Sequence, residues 1–109
     1  MPAMDALAAL ADPTRRRILE LLRDGELAAG DLSDEFSISR PAVSRHLRVL
    51  REAALVHSRV DGQRRVYALD ARPLAELDAW LEPYRRLWAH RLDALDTEIR
   101  RGRRSRRTT

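Results

Sequence analysis

Arg45 and Arg48 stand three residues apart, with Ser44 beside them and Arg51 on the same flank, inside the run Ser39 to Val56. Arginine is the side chain best suited to bond guanine O6 and N7 in bidentate fashion, and serine adds a compact donor and acceptor. Val43, Leu47, Leu50 and Ala54 recur in this run at steps of four, three and four, so they share a face that must be buried. Pro41, Arg45, Arg48 and Glu52 recur at the same period on the opposite face. A helix with one apolar stripe and one Ser/Arg stripe fits a helix laid in the DNA major groove. Ser39 is a good N-cap, and Pro41 falls in the first turn, where its missing N–H costs nothing. The plainer alternative is an amphipathic helix with a solvated charged face.

The flanking elements weigh against that alternative. Leu55 to Val60, Asp61-Gly62-Gln63 and Arg64 to Leu69 read as two short strands around a turn. Asp-Gly is a strong hairpin signal, because both central positions of a type I′ turn need positive φ. Arg59, Arg64 and Arg65 surround the tip of this hairpin. On the N-terminal side, Asp12-Pro13 is an N-cap followed by proline at the first helical position. The helix it opens carries Ile18, Leu19, Leu21 and Leu22 and ends near Asp24-Gly25. Leu27 to Phe36 reads as a second, shorter helix, and Ser37-Ile38 as the tight turn into Ser39. The expected fold is mainly α with a small β-hairpin: a winged helix-turn-helix with a long C-terminal helix.

That last helix begins at Asp70 as cap, with Pro73 in its first turn. Leu74, Leu77, Leu81, Tyr84, Trp88, Leu95 and Ile99 follow a three-four spacing, broken at Arg91 and widened by Trp80, Leu87 and Leu92. This is more apolar surface than a small tri-helical domain covers, and a wide stripe with two Trp marks a helix–helix interface. Pro83 removes one backbone bond, so a kink is expected there.

Composition narrows the class. A chain of 109 residues holds one domain with a modest core, and such cores are often completed by oligomerisation. No cysteine is present, which removes disulfides, thiolate metal sites and thiol redox chemistry. No apolar run approaches the roughly 18 residues that span a bilayer. Asp5 interrupts the alanine-leucine run that a signal peptide would need, so a cytoplasmic protein is expected. All 21 basic residues are Arg. Residues 40–65 hold 7 Arg against 2 acids, whereas residues 1–39 and 66–99 are acidic on balance. This local excess points to nucleic acid better than the overall charge of +4. The last ten residues hold 6 Arg and no apolar side chain, so 100–109 is expected to be a basic disordered tail behind a domain over 1–99. No nucleophile elbow, phosphate loop or zinc triad is present, and no enzyme is expected.

Ala8 to Leu19, with Ala11-Asp12-Pro13-Thr14-Arg15-Arg16-Arg17-Ile18 at its centre, together with Ser39 to Val56 and Asp61 to Tyr67, resembles the ArsR family of bacterial winged-helix repressors. The resemblance runs from about Met4 to Ile99 and implies a homodimer on palindromic operators, usually repressing its own operon. Ser39, Arg40, Ala42, Ser44, Arg45, Arg48, Arg59, Gln63, Arg64 and Arg65 are then the DNA-binding candidates. The resemblance assigns the dimer contact to the last helix and the first segment: Met4, Leu7, Leu10, Leu77, Leu81, Tyr84, Trp88, Leu92 and Leu95. Ala54 departs from the family, which commonly has Gly just past the recognition helix; the helix is expected to run one residue longer here.

Many members sense metals through a Cys-x-Cys pair whose positions here are Ala28 and Gly30, so the chain resembles the branch lacking that motif. Of a second family site on the last helix, His90 and Asp93 stand at ligand positions, but the other half falls on Leu77 and Ala79. Half a site makes a poor zinc centre, which wants four donors. No cofactor is expected, a nickel or zinc regulator using His90 and carboxylates is the alternative, and the effector stays unassigned. His46 is expected to be a hydrogen-bonded structural histidine, and His57 a surface one. A third reading keeps the winged helix but docks protein in place of DNA; the polar, Arg-bearing outer face argues against it.

Overall fold

The computed structural model describes residues 2–107. The order is α1 (Pro2–Ala9), α2 (Pro13–Arg23), β1 (Leu27–Ala28), α3 (Ala29–Asp34), α4 (Arg40–Glu52), β2 (Val56–Asp61), β3 (Arg64–Leu69) and α5 (Arg72–Arg107). The three strands form one antiparallel sheet in the order β1-β3-β2. The fold is the expected winged helix-turn-helix with a long last helix. These residues divide into two compact units at Leu77/Asp78, where the sequence reading takes 1–99 as one.

The first unit is built on amphipathic helices. Ile18, Leu19 and Leu22 of α2, Leu32 of α3, and Val43, Leu47 and Leu50 of α4 meet Ala6 and Ala9 of α1 in one core, closed by Leu55, Val56 and Tyr67. Complete burial of one such Leu or Ile contributes about 1.5–3 kcal/mol. Helix starts follow the sequence: the Arg15 N–H donates to Asp12 Oδ2 at 3.0 Å, and the Ala42 N–H to Ser39 Oγ at 3.2 Å. The four last carbonyls of a helix have no internal partner. Those near the end of α1 are met from α2, with Arg15 Nε donating to the Ala9 oxygen at 2.6 Å and Arg16 to the Leu10 oxygen at 2.8 Å.

Four local expectations change. Leu27 and Ala28 are not helical; they are β1, paired with Tyr67 and Val66, because the edge of the hairpin offers them backbone partners before α3 begins. α4 does not run long. It stops at Glu52, Ala53 is the buried residue, and the exposed Ala54 adopts φ 60°. The N–H of Leu55 donates to the Leu50 oxygen and that of Ala54 to the Arg51 oxygen, both at 2.9 Å. This is the paired closure of a Schellman motif, and Leu50 and Leu55, both fully buried, supply its apolar contact.

The wing turn is also displaced by one residue. Asp61 ends β2 opposite Arg64, leaving Gly62-Gln63 as the loop. Only Gly62 of the two has positive φ, at 63°, which fits a type II′ turn and not type I′. Lastly, α5 begins at Arg72, so Asp70 lies one place ahead of the cap. Its carboxylate still accepts the Arg72 N–H at 3.0 Å. The Arg72 guanidinium bonded to it lowers the Asp70 carboxyl to about 2.

In the second unit α5 is continuous across Pro83 and reaches Arg107. The sequence reading expects a disordered stretch from 102, where the helix instead runs on to Arg107. Arginines near a helix C-terminus complement its dipole, and Arg100 pairs with Asp96 at 3.1 Å one turn back. Gly102 by itself costs only about 1 kcal/mol in a helix interior. Thr108 and Thr109, the end of the expected tail, lie outside the described residues. Among the described residues no helix is long and apolar enough to cross a membrane.

Candidate nucleic-acid interface

α4 presents its two faces as its sequence spacing requires. Val43, Leu47 and Leu50 face the core, and Pro41, Ser44, Arg45 and Arg48 are exposed. An open groove of about 890 Å³ runs along the outer face, lined by Arg40, Pro41, Ser44, Arg45, Arg48, Arg51 and Tyr67. Four guanidinium groups thus converge on one surface. Among the described residues no carboxylate lies within 4.0 Å of Arg45, Arg48 or Arg51, while Arg40 stands 3.9 Å from Asp34. Unpaired guanidinium groups carry five donors each and attract phosphate oxygen or the acceptor edge of guanine.

Ser39 and Ala42 have a local duty, since the Ser39 oxygen accepts the Ala42 N–H at the head of the helix, and Ala42 is half-buried. Three groove residues, Pro41, Arg51 and Tyr67, are not among the DNA-binding candidates. Pro41 and Arg51 belong to α4 itself, and Tyr67 enters from β3. Nothing local in the sequence reveals Tyr67: it is placed beside α4 by strand pairing.

The wing candidates Arg59, Gln63, Arg64 and Arg65 are all exposed. They differ in their partners. Arg59 bonds the Glu26 carboxylate and lies 3.8 Å from Asp61. Arg64 lies 3.9 Å from Asp31, whereas Arg65 donates to Ser58 Oγ at 3.1 Å.

His46 faces α2 and not the groove. Its Nδ1 lies 3.8 Å from Asp12 Oδ2 and 3.4 Å from the Arg15 guanidinium. The Asp12 carboxyl is held below its ordinary range, chiefly by the Arg15 backbone N–H and further by His46 and the Arg15 charge. Arg15 therefore joins the end of α1, the start of α2 and the middle of α4.

The dimer candidates divide. Met4, Leu7, Tyr84, Trp88, Leu92 and Leu95 are exposed, as are Trp80, Leu87 and Ile99. Leu77 and Leu81 are half-buried, and Leu10 packs partly against the core of its own chain. His57, His90 and Asp93 are exposed. Among the described residues no three His, Cys, Asp or Glu side chains are grouped to hold a metal ion.

Comparison with known proteins accords with this surface. Residues 12–58 match the profile of the bacterial regulatory proteins of the arsR family. The chain is 51% identical over 87 residues to the HTH-type transcriptional regulator Rv2034 of Mycobacterium tuberculosis, covering 80% of this chain and 78% of that one. It is 40% identical over 73 residues to the transcriptional repressor SdpR of Bacillus subtilis, covering 67% and 81%. Among solved structures, the crystal structure of an ArsR family transcriptional regulator superposes with a TM-score of 0.75 at 28% identity, over 82% of this chain and 98% of that one.

Proposed function

The chain belongs to the ArsR family of DNA-binding transcriptional regulators, and from that premise we propose that it acts as a homodimeric repressor of its own operon, working in the cytoplasm. The observation that carries this reading is the outer face of α4, where Arg45, Arg48 and Arg51 line an open groove with Ser44 and have no acidic partner among the described residues. In this docking α4 lies in the major groove, Arg45 and Ser44 reach base edges, Arg40 lies beside them, and Arg48 meets phosphate. The wing holds the backbone and reads no sequence. The exposed apolar stripe of α5, with Met4 and Leu7, supplies the contact between two copies. Two α4 helices related by a two-fold axis then meet half-sites about 34–36 Å apart. Repression follows from occupancy of the promoter.

Effector sensing in this reading uses no cysteine, and His90 with Asp93 is half of a metal site at most. A gel shift on DNA upstream of its own gene tests these statements together. A shift is expected, with an affinity unchanged by chelator or by added nickel or zinc. Failure to shift that DNA overturns autorepression. Release by nickel or zinc in place of an unchanged shift overturns the metal-free reading.

A further inference from the structure

The three wing arginines do not share a face. Residues directly opposite in an antiparallel pair project to the same side of the sheet, and successive residues alternate. Asp61 opposite Arg64 and Arg59 opposite Val66 therefore share one face, while Val60 opposite Arg65 and Ser58 opposite Tyr67 share the other. The bond from Arg65 to Ser58 is a diagonal contact within this second face, which also holds the groove residue Tyr67. On the first face Arg59 is held by Glu26, at the entry to β1, with Asp61 alongside, and Arg64 stands against Asp31 in α3. No carboxylate lies within 4.0 Å of Arg65 among the described residues.

We propose that Glu26 and Asp31 limit DNA affinity by holding Arg59 and Arg64 off the phosphates, so that the wing engages the duplex through Arg65 alone. The proposal rests on the docking of α4 and wing given above. Exposed ion pairs of this kind contribute little to stability, so the acids do not lock the wing. Their effect is on charge exchange. An arginine that leaves its carboxylate for a phosphate releases a counterion from DNA, but the abandoned carboxylate draws one back. Arg65, with no such partner, gains the whole release. The sequence-independent part of binding is thereby restrained while Arg45, the base-reading arginine of α4, has no acidic partner among the described residues. This matters because non-specific sites compete for the protein along the whole genome.

The test is fluorescence anisotropy with the full chain, on the duplex upstream of its own gene and on a scrambled duplex, across a salt titration. Glu26→Gln with Asp31→Asn should tighten both duplexes alike, by about two- to fivefold at low salt. The slope of log K against log salt should steepen by up to about 2, near 0.9 for each freed arginine. Unchanged affinity and slope overturn the proposal, as does tightening on one duplex only. Arg65→Ala separates this from the docking itself and should flatten the slope by about 1. If Arg65→Ala weakens binding while the acid variant behaves as wild type, only the role of Glu26 and Asp31 falls. If Arg65→Ala is silent too, the wing docking falls and the proposal with it. Should the double variant melt early, Glu26→Gln alone carries the test with half the change in slope.

Discussion

Arg45 is the residue on which sequence specificity turns in the proposed docking, since it is exposed, unpaired among the described residues and central to the α4 groove. Arg45→Ala should cost about 1–3 kcal/mol on the operator and relax preference at one base, with a smaller loss on scrambled DNA. Anisotropy against a set of single-base operator variants measures this, and an unchanged preference would remove α4 from the bases. Ala54 is the other residue where one atom decides something. Its φ of 60° brings Cβ toward the following carbonyl, a strain that glycine lacks. Ala54→Gly should therefore stabilise the protein by about 1 kcal/mol, less the freedom glycine adds to the unfolded chain. The denaturant midpoint should rise at constant slope. A lower midpoint would mean that the unfolded-state term wins.

At the scale of elements, the junction of α1, α2 and α4 is held by Asp12, Arg15 and His46. Asp12 caps α2 and is the acid whose ionised form this junction favours, through the Arg15 N–H first and the nearby positive charge after it. Its native pKa lies below that of the unfolded chain, so its stabilisation is present above the ordinary carboxylate range. It is lost as pH falls through the depressed native value. Asp12→Ala should cost about 1 kcal/mol near pH 7, and the difference from wild type should shrink as the pH falls below about 4. Urea titrations of both proteins at neutral and acid pH check this; a cost that stays constant with pH would exclude the ionised cap as its source.

For the whole molecule, the question is what covers α5. Trp88 and Leu95 remain 44% and 52% exposed in the single chain, within a stripe that also includes Trp80, Tyr84, Leu87, Leu92 and Ile99. Contiguous apolar surface of this extent is unusual on a monomer and marks an association site. Light scattering should return about twice the chain mass of 12.5 kDa at micromolar concentration. Leu95→Arg should yield a folded monomer that binds a palindromic operator at least about 100-fold more weakly, because the second half-site is no longer engaged in the same complex. A wild-type monomer that binds tightly would refute the dimer.

Much of this protein is decided locally and is therefore readable from the chain. Asp12-Pro13 and Ser39 start helices because their side chains serve N–H groups three residues on. The period of Val43, Leu47 and Leu50 aims Arg45 and Arg48 outward once those three are buried. Helical spacing and capping act over one turn, so sequence alone determines them. What sequence left open depends on partners distant along the chain. Leu27-Ala28 carries no strand signal of its own and becomes β1 because Tyr67 and Val66 are there to pair with it. Tyr67 reaches the α4 groove by the same pairing. Ala54 accepts a left-handed backbone because the burial of Leu50 and Leu55 outweighs its local strain. The wing arginines, alike in sequence, are divided by register and by acids from 33 residues away in both cases, Arg59 with Glu26 and Arg64 with Asp31. Only the folded chain brings these groups close enough for their charges to matter, and so only tertiary structure separates the arginines that are held from the one that is not.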